Sequence, residues 1–219
     1  MPKPPVVEDT QLRHALKVAA VTGQAKERDA ALLMVAYSTG LMPNEIAKLT
    51  VADYLAADGT PLVNSMVRPE IAFNGKPRPL LWANVKARDA IDKYLGIRLA
   101  NGHGVTTHRS AYRGLDHCGP LFLAVDGRPF TFTRRTTATG AISYSCESLT
   151  EILRRLHQQA GIQHGSASAA RRTFAVRLHR QGRDLKVIQV LIGVSSLTAV
   201  KRLVEGDPVR LSSIVAGVI

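Results

Sequence analysis

Two cysteines in 219 residues, Cys118 and Cys146, are too few for a disulfide scaffold and match no paired zinc spacing. No run of about 18 apolar residues occurs anywhere, and the opening MPKPPVVEDT has no apolar core that could serve as a signal peptide. A reduced, cytoplasmic protein without membrane association is therefore the expectation. Acidic residues are also scarce: 17 Asp and Glu against 29 Lys and Arg leave a formal charge of +12. What is present is enough apolar material, 45% of residues, to bury the core of one large domain. A basic excess of this size repels itself until negative charge offsets it, so composition points to a polyanionic partner.

The excess is uneven. Residues 151–219 hold 11 Lys/Arg and 4 Asp/Glu, a surplus of 7, whereas the first 150 hold 18 and 13, a surplus of 5. The densest run is Arg171, Arg172, Arg177 and Arg180 within one predicted helix. No acidic residue lies between Arg171 and Arg183. Salt bridges at i,i+4 within the run do not explain it, and nucleic acid becomes the expected partner.

Periodicity predicts a mainly α chain with a small antiparallel β-sheet. Residues 1–8 are proline-rich and read as a disordered tail, followed by a single domain over 9–219. Asp9 is the expected N-cap of a helix striped by Leu12, Leu16, Ala19 and Ala20. Further helices are predicted over 26–38, from Pro43 to Leu49 and over 84–98. Between them, Met66–Phe73 and 79–82 read as partner strands around the turn signal Asn74–Gly75. Residues 100–120 and 126–145 read as irregular, flanking a short apolar strand over Leu121–Val125. The last third predicts helices Glu147–Gln159, Ala169–Arg180, Leu185–Ile192, Leu197–Val204 and Pro208–Val218, with Gly182, Gly193 and Gly206 at C-terminal caps.

Five segments carry a resemblance. Ala169-Ala-Arg-Arg-Thr-Phe-Ala, followed by Leu191-Ile-Gly-Val-Ser-Ser-Leu197, resembles the Arg-His-Thr-Phe-Ala run and Leu-Gly-His-Ser-Ser turn of the tyrosine recombinase (phage integrase) family. Thr39-Gly-Leu-Met-Pro-Asn-Glu45 resembles that family's Thr-Gly-Leu-Arg-x-x-Glu box. Gly75-Lys-Pro-Arg-Pro-Leu80 resembles its lysine-bearing hairpin, and Asp207-Pro-Val-Arg-Leu211 the lead into its final helix. The resemblance covers residues 9–219, the catalytic domain, without the N-terminal core-binding domain usual in the family. It implies attack of a tyrosine on a DNA phosphodiester, with two arginines neutralising the transition-state oxygens and lysine and histidine handling protons.

Most of the implied catalytic set is replaced. Met42 stands at the first arginine position, Ser168 at the histidine or lysine of the second box, and Val194 at the histidine or tryptophan of the turn. Leu203 stands at the nucleophile, and all five tyrosines lie upstream of Arg171. Arg171 and Lys76 remain. A lost phosphate-binding arginine costs about 10²–10³ in rate, by analogy with a lost oxyanion donor, and loss of the nucleophile ends covalent catalysis. Leu203 also fits an apolar stretch with Leu197, Val200 and Val204.

The resulting expectation is a nucleoid-associated DNA-binding protein that does not cut, a regulator or accessory factor of the kind found on mobile elements, without metal or other cofactor. Arg171 and Lys76, with Arg78, Arg172, Lys201 and Arg202, are expected on the duplex backbone, and Arg134 and Arg135 at the backbone or a groove. Other readings stand beside it. The chain is a recombinase with an unrecognised nucleophile or an active recombinase partner, or a protein-interaction module without DNA. Ile188–Leu203 also resembles a helix-turn-helix. His103, His108, His117 and Cys118 read as solvent-exposed loop residues rather than zinc ligands. The C-terminal helix packs on its own domain or, by the resemblance, on a neighbouring subunit as a homo-oligomer.

Overall fold

The computed structural model describes residues 3–23, 25–136, 140 and 142–207. The helix expected over Pro208–Val218 lies outside these residues. Eight α-helices are described: α1 (Asp9–Thr22), α2 (Lys26–Thr39), α3 (Pro43–Lys48), α4 (Val85–Ala100), α5 (Glu147–Gln159), α6 (Ala167–Arg180), α7 (Leu185–Ile192) and α8 (Leu197–Val204). The sharpest boundaries coincide with explicit caps. Ser166, Asp184 and Ser196 each accept a backbone N–H from the first turn that follows, and Gly193 closes α7 at φ +74°. At the start of α1 the N-cap is Glu8 rather than Asp9, because Gln11 reaches back to the Glu8 amide at 3.0 Å.

Two separate two-stranded antiparallel ribbons accompany the helices. β1 (Asn64–Val67) pairs with β2 (Arg78–Leu81), Val67 opposite Arg78. The connection therefore runs over residues 68–77, and Asn74–Gly75 is not a two-residue hairpin turn: the chain leaves the ladder after Val67 instead of extending to Phe73. β3 (Thr133–Thr136) pairs with β4 (Ile142–Ser145), Arg134 opposite Tyr144. This second ribbon falls where an irregular segment was expected. Leu121–Val125 forms no strand; Leu121, Phe122 and Leu123 are instead buried side chains of a loop.

The core has two parts. The larger gathers α1 to α5 around α2, whose residues from Ala31 to Tyr37 are all buried. The smaller consists of Ala175, Val176, Ile188, Ile192, Val200 and Val204, from α6, α7 and α8. Helix α6 is the spine between them: Ala167, Ala169 and Ala170 belong to the first cluster, Ala175 and Val176 to the second. Pro4–Glu8 are seated rather than loose. Val7 is fully buried and its amide donates to Thr173 Oγ1 at 2.9 Å, so two valines outweigh the proline-rich composition. Helices α7 and α8 meet at 96°, within the range of a helix-turn-helix. No single described helix is long and apolar enough to cross a membrane.

Candidate nucleic-acid interface

The four arginines of α6 are all spoken for inside the protein. Arg171 lies where the two core clusters meet. Its Nη1 donates to Gly40 O at 2.8 Å and its Nη2 to Ile192 O at 2.6 Å, joining the C-terminal end of α2 to that of α7. One guanidinium face lies 4.9 Å from the ring centroid of Phe73. Burial, with the like charge of Arg78 nearby, lowers its pKa to about 10 against the opposing pull of Glu45. Arg172 donates to the backbone carbonyls of Leu203, Pro4 and Glu205. Arg177 pairs with Asp9 at 2.6 Å, and Arg180 forks between Glu8 and Asp207. No acid lies within the run itself; the acids that pair Arg177 and Arg180 come from segments distant in the sequence.

Arg78 is also turned inward. It meets the fully buried Glu45 in a bidentate pair, 2.7 Å at both oxygens. The same carboxylate accepts the amides of Met42 (2.8 Å) and Phe73 (3.1 Å). Gly193 is required beside it, since a Cβ there would stand 2.7 Å from Arg78 Cδ. Asn74 Nδ2 donates to Gly193 O at 2.7 Å. Glu45 thus ties together the start of α3, the 68–77 loop and β2, and Asn74 ties that loop to the α7–α8 turn. The expectation that Arg78 and Arg172 stand on an open basic face is corrected: both are buried, one neutralising a buried carboxylate, the other bonded to three backbone carbonyls.

The replaced positions are distributed as follows. Met42 is half-buried at the N-cap of α3, Ser168 is exposed in the first turn of α6, and Val194 is half-buried in the α7–α8 turn. Leu203 packs partly against the smaller core cluster, beside the buried Val200 and Val204. Lys76 is exposed at the tip of the 68–77 loop, where Asn74 Oδ1 accepts its backbone amide. Sulfur and hydrocarbon at Met42, Val194 and Leu203 offer neither a nucleophile nor a hydrogen-bond donor to a phosphate.

Outward-facing charge lies elsewhere. Lys76, Arg134, Lys201 and Arg202 are exposed and form no salt bridge among the described residues; Arg135 is exposed but pairs with Glu147. Arg134 and Arg135 project from β3, and the base of that ribbon is clamped by Asn44 in the first turn of α3. Asn44 Nδ2 donates to Tyr144 O and its Oδ1 accepts from Cys146 N, both at 2.7 Å. The ribbon and the Lys76 loop therefore flank α3 and Met42. Asn44, Phe73 and the ribbon were not singled out from sequence; only the Asn in the Pro43–Glu45 box offered a cue. Among the described residues, His103 and His108 lie outside any metal-ligand grouping; Asp116, His117 and Cys118 approach one another, with Asp116 accepting the Cys118 amide and His117 stacked on Tyr112.

A helical domain whose spine arginine, glutamate-bearing box and glycine turn converge in this way has the fold of a tyrosine recombinase catalytic domain. The phage integrase family profile matches residues 6–205, and the chain belongs to that family. Among curated proteins it is 29% identical over 187 residues to the tyrosine recombinase XerC of Pelobacter propionicus, covering 85% of this chain and 50% of the relative. It is 26% identical over 196 residues to XerC of Bacillus licheniformis, covering 90% and 55%. The chain thus spans about half the length of the curated relatives it matches. Among solved structures, XerA recombinase superposes with a TM-score of 0.68 at 20% identity, over 99% of this chain and 65% of that one. A lambda integrase dimer bound to a COC' core site gives 0.60 at 12% identity, over 94% and 49%. These likenesses establish the fold.

Proposed function

We propose that this chain is a duplex-DNA-binding member of the family that does not itself cleave DNA, and acts as a regulatory or accessory factor. The single observation that carries this is Leu203. At the position where the resemblance puts the nucleophile, the side chain is hydrocarbon packed toward a core cluster, and its carbonyl is fixed by Arg172. Met42, at the place of the first arginine, supports the same reading. Arg171 is retained in sequence, but two backbone carbonyls hold its guanidinium and Phe73 covers one face.

Binding to DNA is supported by family membership, by the charge of +12 and by the exposed Lys76, Arg134, Lys201 and Arg202. The phosphate-facing set is accordingly drawn from these four, with Arg135 as a paired neighbour, instead of from α6. The test is a salt titration of duplex retention. Binding should weaken log-linearly with salt, with a slope of about −0.9 for each phosphate neutralised. No retention at low salt would overturn the DNA reading and leave a protein-interaction role.

A further inference from the structure

The β3–β4 ribbon is unlike every other element described. All eight of its residues but Ser145 are exposed, so neither face is buried. An isolated two-stranded ribbon is marginal in water, and one with a buried face would normally be held by it. Among the described residues the hold comes from the two bonds of Asn44 at the base and the Arg135–Glu147 pair. The exposed side chains are Thr133, Arg134, Arg135, Thr136, Ser143 and Tyr144, with Ile142 the one aliphatic. Residues 129–146 contain no acid. An adhesive protein interface would favour an apolar centre, whereas this surface is cationic and rich in hydroxyls.

We propose that the β3–β4 ribbon enters the major groove and reads base edges, with Arg134 as its specificity-determining residue. The groove, about 12 Å wide, admits a two-stranded ribbon. Arginine is the side chain that grips the paired acceptors of guanine, and threonine offers a hydroxyl and a methyl to base edges. Arg135 is half committed to Glu147, which leaves Arg134, opposite Tyr144, as the uncommitted fork. The ribbon's anchor, Asn44, lies in the same helical turn as Glu45 and two residues from Met42, so the reading element is registered against the family's phosphate-binding box. Backbone-holding cations on the loop and α8 would then position the duplex, and the ribbon would choose the sequence.

This inference rests on the DNA-binding reading, and the experiment separates the two. The full chain is used to select duplexes from a randomised library, and affinity for the selected duplex is compared with that for a scrambled duplex of equal length. Selection of a consensus is expected. Arg134→Lys should keep affinity for the scrambled duplex within about twofold but lower discrimination by about 10-fold or more, because charge survives and the planar fork does not. Lys201→Ala should weaken both duplexes alike. If the wild-type chain binds DNA but Arg134→Lys discriminates as well as wild type, or if no consensus emerges, the ribbon is not the reader, while the DNA-binding reading stands. If no duplex is retained, the DNA-binding reading itself fails and this proposal with it. Arg134 is exposed and has no ionic partner among the described residues, so an unchanged thermal melt is expected for its variant.

Discussion

Helix α6 and the surface formed by the β3–β4 ribbon, the Lys76 loop and α8 both carry arginine or lysine, yet they use it oppositely. In α6 the charges face inward or toward the chain's ends, and each guanidinium has carbonyl or carboxylate partners within the fold. On the other surface Lys76, Arg134, Lys201 and Arg202 have no ionic partner among the described residues. Cation density in sequence is therefore a poor guide to a nucleic-acid face. A buried guanidinium is expensive unless it is satisfied, so the fold spends its local excess on cross-linking. The outward charge is left to Lys76, Arg134 and the adjacent Lys201 and Arg202.

The largest effect should come from breaking the inward network. Glu45→Ala leaves Arg78 buried without its carboxylate and removes the acceptor for two backbone amides. It should cost about 3–5 kcal/mol in urea unfolding, and a loss below about 1 kcal/mol would show that the Glu45 hub does not hold the three segments together. Arg171→Ala should cost about 3 kcal/mol by abandoning the carbonyls of Gly40 and Ile192, while leaving the salt slope of DNA binding unchanged for the folded protein. A slope reduced by about one, with stability intact, would move Arg171 to the outward group.

A third expectation concerns pH. His157 is fully buried; its Nδ1–H donates to Leu153 O and its Nε2 accepts from the Tyr37 hydroxyl, both at 2.6 Å. Burial lowers the ring's pKa from the ordinary imidazole value, only partly opposed by the Leu153 bond. Below about pH 6.5 the unfolded chain binds a proton that the native ring refuses, so stability falls as pH falls. Stability should fall between pH 7.5 and 5.5, and the part of the fall attributable to this residue should vanish in His157→Gln. An unchanged pH dependence in that variant would assign the loss to other groups.

The smallest stability effects belong to the outward residues. Lys76→Ala, Lys201→Ala and Arg202→Ala should each change stability by less than about 0.5 kcal/mol, yet each should reduce the salt slope by about one. Stability losses above 1 kcal/mol with no change in slope would erase the division between the two regions.

Much of the fold was legible because its punctuation is local. Asp184, Gly193 and Ser196 bound α7 and α8 where the sequence predicts, and Glu147–Gln159 is the helix its period announces. The β3–β4 ribbon was not legible because strands exposed on both faces need no apolar alternation. Arg171, Arg172, Arg177 and Arg180 were legible as a cluster but not in their roles. Of their partners, Gly40, Pro4, Asp9 and Glu8 lie 131 to 172 positions away in the chain, and Ile192, Leu203, Glu205 and Asp207 lie 21 to 33 away, beyond the reach of a helical window.

The central claim is that the family fold holds duplex DNA here without cutting it. The most direct measurement uses the duplex the chain selects, carrying a nick that traps any covalent intermediate, followed by denaturing electrophoresis. The account predicts that all bound DNA is released free of protein. A DNA–protein adduct surviving denaturation, formed by the wild-type chain alone, would contradict it.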